Sequence, residues 1–188
     1  MSVGEEIAAL FERRGSGAYF GEPVSMTEHS LQAAHFAEKD GAPSWLRVAA
    51  LLHDVGHLVV DVPDSIDDWT SDARHEETGA DWLATRFDRR IAQAVLLHVP
   101  AKRYLCATNP RYFSRLSPAS VHTLSLQGGP MSADEVRQFE AQPQFRDAIR
   151  VRLWDDRGKV AGLSTQPLAH YYPMIEEFAL DKQGVTAG

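Results

Sequence analysis

The sequence predicts an all-α fold of about eight or nine helices. Three observations carry that reading. Apolar residues recur at three- and four-residue spacing, as Ala80, Leu83 and Phe87 do within SDARHEETGADWLATRF. Helix-start signals recur as well: Ser25 with Glu28, Ser132 with Glu135, and Ser117 followed by Pro118. No stretch shows the two-residue alternation of a half-buried strand.

The elements follow in order. MSVGEEIAALFERRG is acidic and amphipathic, and lacks the basic start and small-residue cleavage site of a signal peptide. SMTEHSLQAAHFAEKDG opens on the Ser25–Glu28 capping box and stops at Gly41. PSWLRVAALLHDVGHL follows a short turn and reads as one helix, and SDARHEETGADWLATRF as the next. DRRIAQAVLLHV is expected to stop before Pro100, because the residue preceding a proline is pushed out of the helical region. SPASVHTLSLQGG runs from the Ser117 cap to a Gly-Gly stop, and SADEVRQFEAQ carries the second capping box. PQFRDAIRVRLWDDRGK and PLAHYYPMIEEFAL close the chain. No repeat, low-complexity tract or linker interrupts residues 1–188, so one domain is expected.

Composition narrows the function classes. A hydrophobic share of 44% and a charged share of 24% are ordinary for a globular chain able to bury a core. Net charge is −7, which argues against nucleic acid as a partner. No apolar run is long enough for a bilayer. Cys106 is the sole cysteine, so no intramolecular disulfide can form, and a cytoplasmic protein is expected. Charge is unevenly placed. His98 to Leu116 holds Lys102, Arg103, Arg111 and Arg115 and no acid, a stretch able to hold a small anion.

Chemistry is expected where polar residues interrupt apolar helical faces: His29, His53, Asp54, His57, His75, His98 and Asp155. Asp is almost never buried unless it is paired or ligates a metal. Yet Asp54 follows Ala-Ala-Leu-Leu-His, and Asp155 follows Leu-Trp. Imidazole and carboxylate together suit a divalent transition metal. His53 and Asp54 stand about 100° apart on a helix, so they can approach a metal from adjacent directions. Four His (29, 53, 75, 98) and two Asp (54, 155) are too many for one ion with open positions, and about right for two ions sharing Asp54. His57, one turn beyond His53, is expected outside the ligand set, and His35, His122 and His170 are read as ordinary helix histidines.

An early His, a central His-Asp pair and a late Asp resemble the pattern of the HD-domain metal proteins, an all-α helical bundle; here these are His29, His53-Asp54 and Asp155. His75 and His98 resemble the additions of its dinuclear branch. Most HD proteins are phosphohydrolases, which is the alternative reading. YFGEPVSMTEHSLQAAHFA, LHVPAKRYLCATNPRYFSRLSPASVHTLSLQGGPMS and RLWDDRGK resemble more closely the diiron oxygenases of organophosphonate breakdown, relatives of myo-inositol oxygenase.

That resemblance implies a mixed-valent Fe(II)/Fe(III) pair that activates O2. It implies cleavage of the C–P bond of a 1-hydroxy-2-aminoalkylphosphonate, giving phosphate and an amino acid. His29, His53, Asp54 and Asp155 would hold one iron, and His75 and His98 the other, with Asp54 bridging. Asp156 is the alternative to Asp155. Asp155 is preferred because it follows apolar Trp154 and because Lys159 falls four later, as in the oxygenases. His57, Lys102, Ser120, Thr123 and Arg152 are implied as phosphonate contacts, and Lys and Arg suit a dianion. Tyr19 and Glu22 match residues that gate the iron and are displaced by substrate. The amino end of the substrate is either free or trimethylated. Asp61, Asp64, Asp67, Asp68 and Trp69, with Tyr19 and Phe20, offer charge and aromatic faces for a quaternary cation. The oligomeric state is not legible in the chain.

Overall fold

Eleven α-helices form among residues 1–60 and 74–180, the residues described by the computed structural model. They are α1 (Val3–Arg14), α2 (Met26–Lys39), α3 (Ser44–Leu51), α4 (Gly56–Val59), α5 (His75–Ala84) and α6 (Arg89–Leu96). They continue with α7 (His98–Thr108), α8 (Pro118–Leu126), α9 (Ala133–Glu140), α10 (Phe145–Arg157) and α11 (Tyr172–Phe178). Short 3₁₀ turns at Phe113–Arg115 and Leu168–Tyr171 complete the helical set. Extended pairing among the described residues is confined to isolated bridges, Ala18 with Ser25 and Phe87 with Ala179. The all-α expectation holds.

Helix ends fall where the capping chemistry stands. Ser25 accepts from the Glu28 amide while Glu28 reaches back to the Ser25 amide, and Ser132 and Glu135 repeat the arrangement. Each such cap is worth about 1 kcal/mol. Ser117 caps α8 with Pro118 in its first turn, and Gly128 and Gly129 end it with φ of +92° and +73°. A third capping box, Ser2 with Glu5, starts α1 and was not anticipated.

Two boundaries differ from expectation, for one shared reason. The stretch 44–59 is not one helix: α3 ends at Leu51, and the chain tightens into three-residue hydrogen bonds, Val55 to Leu52 and His57 to Asp54, before α4. The His53 imidazole donates from Nδ1 to the Ala50 carbonyl, the acceptor a continuing helix would give to the Asp54 amide. The same device acts at Leu97, where His98 Nδ1 donates to the Val95 carbonyl. Pro100 therefore does not follow a helix end. It lies in the first turn of a new helix, α7, where a missing N–H costs nothing.

The core is built by α2, α3, α6 and α10 with α1 and α11 packed outside. Leu46, Leu51, Leu52, Leu83, Ile91 and Trp154 are all at most 2% exposed, and each contributes roughly 1.5–3 kcal/mol of burial. A smaller cluster, Leu97, Ala101, Phe139 and Ala148, ties α7 and α9 to α10. Gly56 lets α4 touch the start of α5: a Cβ there would stand 1.9 Å from the His75 carbonyl oxygen. That contact sets His75 beside the His53–Asp54 turn.

Candidate metal centre

Six side chains from five segments converge in the interior. His29 comes from α2, His53 and Asp54 from the turn after α3, and Asp155 from the last turns of α10. His75 and His98 are the first residues of α5 and α7. All six are at most 7% exposed.

Asp54 stands between two groups. Its Oδ2 lies 3.6 Å from His29 Nε2 and 3.5 Å from His53 Nε2. Its Oδ1 lies 3.3 Å from His75 Nε2 and 3.4 Å from His98 Nε2. Asp155 Oδ1 approaches the first pair, 3.4 Å from His29 Nε2 and 3.9 Å from His53 Nε2. Two buried triads result, His29-His53-Asp54 and Asp54-His75-His98, with the ligand atoms of each within 4.8 Å of one another.

The donor chemistry fits a cation. His29, His53 and His98 face backbone carbonyls of Gly158, Ala50 and Val95 with Nδ1, at 2.9, 2.8 and 2.6 Å. A carbonyl only accepts, so each Nδ1 carries the proton and each Nε2 a lone pair. Nε2 of His29 and His53 are 3.0 Å apart, and those of His75 and His98 3.3 Å. The His29 and His53 lone pairs facing at 3.0 Å repel, and a metal ion between them removes the conflict. Asp155 Oδ1 is buried without a hydrogen-bond partner and points the same way.

Burial and neighbouring charge set the protonation of the cluster. Burial first, then His53, lowers the His29 pKa to about 4. Burial also lowers that of His98. His75 moves up, because contact with ionised Asp54 outweighs burial. Burial pushes Asp54 and Asp155 upward, but the imidazoles around Asp54, and Arg152 and Lys159 around Asp155, hold both well below the usual carboxylate range.

A cleft opens on this cluster. On one side, Tyr19 donates to Asp54 Oδ2 at 2.7 Å and stacks on His29. Its turn continues through Phe20 and Gly21, at φ +44° and +79°, to Glu22, whose amide returns to the Tyr19 carbonyl. Phe20 meets the His57 ring edge-on, and His57 stacks on His75 at 4.1 Å. His57 thus lines the cleft without joining either triad.

The opposite wall is cationic and hydroxylated. Lys102 donates to Thr123 Oγ1 at 2.9 Å. It is 2% exposed, and burial first, then Arg152, lowers its pKa to about 7. Ser120 Oγ lies 3.0 Å from Lys159 Nζ and 3.4 Å from Arg152 Nη2. Arg152, expected only as a phosphonate contact, is also held by Asp155, Asp156 and Tyr112. Asp156, the alternative ligand, is taken up by Tyr112 and Arg152.

Every residue expected to hold metal, to contact the phosphonate or to gate the site is brought to the cluster or its cleft, and His35, His122 and His170 enter neither triad. Lys159, Gln127 and Tyr112 were not assigned a role from sequence. Lys159 and Gln127 line the cleft, and Tyr112 orients Arg152. The spacing of Lys159 from Asp155 was the signal available for the first. Asp61, Asp64, Asp67, Asp68 and Trp69 lie outside the described residues.

Residues 26–155 match the HD domain model, a span that opens at α2 and ends on Asp155. The chain is 48% identical over 175 residues to a [1-hydroxy-2-(trimethylamino)ethyl]phosphonate dioxygenase (glycine-betaine-forming) of Leisingera caerulea, covering 93% of this chain and 89% of that one. It is 41% identical over 176 residues to a hydroxymethylphosphonate dioxygenase of Gimesia maris, covering 92% and 88%. It is 37% identical over 174 residues to an uncharacterized protein of Acanthamoeba polyphaga mimivirus, covering 92% and 80%.

Proposed function

The chain belongs to the HD-domain family, and we propose that it is an O2-dependent, C–P bond-cleaving diiron oxygenase. Its substrate is 1-hydroxy-2-(trimethylammonio)ethylphosphonate or 2-amino-1-hydroxyethylphosphonate, and its products are phosphate with glycine betaine or glycine. One O2 takes up the four electrons released as the hydroxyl-bearing carbon becomes a carboxylate. The C–P bond breaks, and phosphorus leaves as phosphate with a fourth oxygen.

The observation that carries the proposal is the shared carboxylate. Asp54 closes two histidine triads beneath a cleft walled by Lys102, Ser120, Thr123 and Arg152. His29, His53, Asp54 and Asp155 would hold one iron, and Asp54, His75 and His98 the other. When bound, a mixed-valent pair supplies the redox chemistry with O2.

The chain's own residues do the remaining work. Lys102, Arg152 and the Ser120 and Thr123 hydroxyls bind the phosphonate through charge-assisted hydrogen bonds, and His57 contacts it from across the cleft. Arg152 also fixes Asp155 through a 2.8 Å ion pair, so anion binding and ligand orientation share one guanidinium. Tyr19 and Glu22 stand over the cluster and yield to substrate. Burial first, and then the Asp54 charge, keeps the Tyr19 phenol protonated, so it donates to Asp54 until displaced.

The 48% identical relative is named for a trimethylamino substrate, and Phe20 and Glu22 put an aromatic face and a carboxylate on the cleft for a cationic end. The trimethylammonio compound is accordingly the favoured substrate. No helix among the described residues is long and apolar enough to cross a membrane. A single diiron domain over residues 1–188, a cytoplasmic location and no nucleic-acid partner complete the proposal, the last on the net charge of −7.

Phosphate release from the two phosphonates by iron-loaded protein, with and without O2, tests the reading. Release only with O2, and faster from the trimethylammonio compound, is expected. Phosphate from phosphomonoesters without O2, on Mn2+ or Mg2+, would favour an HD phosphohydrolase instead.

A further inference from the structure

We propose that Lys159 is a further anion-binding residue, shared between the phosphonate site and Glu22, so that an arriving anion draws Lys159 away and releases the Tyr19–Glu22 turn. The inference rests on the reading of the cleft as a phosphonate site.

Four observations support it. First, Lys159 Nζ lies between the two walls: 3.0 Å from Ser120 Oγ, 3.5 Å from Ser117 Oγ and 3.6 Å from Glu22 Oε1. Its side chain is only 12% exposed, as is that of Glu22, so the charges meet with little solvent between them. Second, the Glu22 contact is loose. It is within ion-pair range but too long for a hydrogen bond, and Glu22 Oε1 is buried with no hydrogen-bond partner. A dianion with three acceptor oxygens outcompetes a single carboxylate for the same ammonium.

Third, the main chain on both sides of Lys159 is fixed. The Gly158 carbonyl is bonded to His29 Nδ1, and Val160 exchanges two bonds with the Gln32 amide, at 2.8 and 3.0 Å. The ammonium can therefore swing while its backbone stays registered to the metal cluster. Fourth, the turn that Glu22 ends is strained. Phe20, a bulky residue, sits at φ +44°, and a turn held so is ready to change when its contacts are removed. Its contacts at the cleft include Tyr19 on Asp54 and His29, Phe20 on His57, and Glu22 on Lys159, the last being the one an arriving anion competes for.

The test is a double-mutant cycle read by equilibrium binding of inorganic phosphate to iron-loaded protein under anaerobic conditions. Lys159→Met keeps the aliphatic stem and removes the charge; it should weaken phosphate binding about tenfold, the worth of one charge-assisted bond. Glu22→Gln frees Lys159 and should tighten phosphate binding about threefold, the scale of a partly exposed ion pair. In the Lys159→Met background the Glu22→Gln effect should vanish, because no ammonium is left to free. Lys159→Arg should restore most of the affinity. An equal Glu22→Gln effect in both backgrounds would overturn the proposal, as would unchanged phosphate affinity in Lys159→Met. Glu22→Gln alone carries the test if Lys159→Met loses iron: unchanged phosphate affinity in that variant also overturns it. Phosphate binding requires no turnover, so the cycle can succeed where the oxygenase reading fails, and the reverse.

Discussion

Tyr19 donates its phenolic hydrogen to Asp54 Oδ2 across 2.7 Å, and the same ring lies parallel to His29 at 3.8 Å between centroids. One residue of the cleft wall is thus bound to two members of the candidate metal cluster, and on the proposed function substrate must break its hydrogen bond to reach Asp54. Tyr19→Phe keeps the stack and removes that bond. Iron content should be unchanged. Substrate affinity should rise about two- to fivefold, since a hydrogen bond of about 1 kcal/mol or less no longer has to be broken. Anaerobic substrate titration checks this.

Asp54 and Asp155 should differ in how much metal they control. Asp54 contacts all four histidines, and Asp155 only His29 and His53. Asp54→Asn should drop iron below about one atom per chain, whereas Asp155→Asn should keep the His75–His98 iron, on the ligand logic of a shared carboxylate. Metal analysis after anaerobic reconstitution separates the two outcomes.

His57 packs on His75 without entering a triad. His57→Ala should keep its iron and weaken substrate binding about tenfold, the worth of one hydrogen bond to a charged group. Loss of iron in this variant would place His57 among the ligands.

Lys102 provides a pH dependence. Its pKa is lowered to about 7 by burial and Arg152, with Lys159 acting in the same direction and Asp155 and Asp156 opposing. The ammonium is present below that value and lost above it. In the free enzyme, kcat/KM for an anionic substrate should therefore fall as pH rises through about 7. Lys102→Arg stays charged and should remove that fall, while any change due to the substrate's own ionisation persists in both proteins. The paired pH profiles measure the difference.

Much of this was legible in the chain. The capping boxes at Ser25 and Ser132 and the Pro118 start are local chemistry and fall as read. The clustering of the candidate ligands was legible because carboxylates and imidazoles in apolar helices demand a buried partner. The breaks at Leu52 and Leu97 were not, because they depend on imidazoles bonding back to Ala50 and Val95, which propensity does not report. Lys159 was missed for a related reason: its meaning comes from Ser120 and Glu22, 39 residues from the former and on opposite walls of one cleft. Arg152 was read as an anion contact alone: its bond to Tyr112 is tertiary, and its pair with Asp156, four residues on along α10, was not drawn from the spacing.

The central claim is that O2, not water, supplies the new oxygen when the C–P bond breaks. Turnover of 1-hydroxy-2-(trimethylammonio)ethylphosphonate by the iron-loaded protein under ¹⁸O2, with mass analysis of both products, tests it most directly. One labelled oxygen in phosphate and one in glycine betaine is the expected result. Unlabelled phosphate, with its new oxygen drawn from water, would contradict the account and point to hydrolysis.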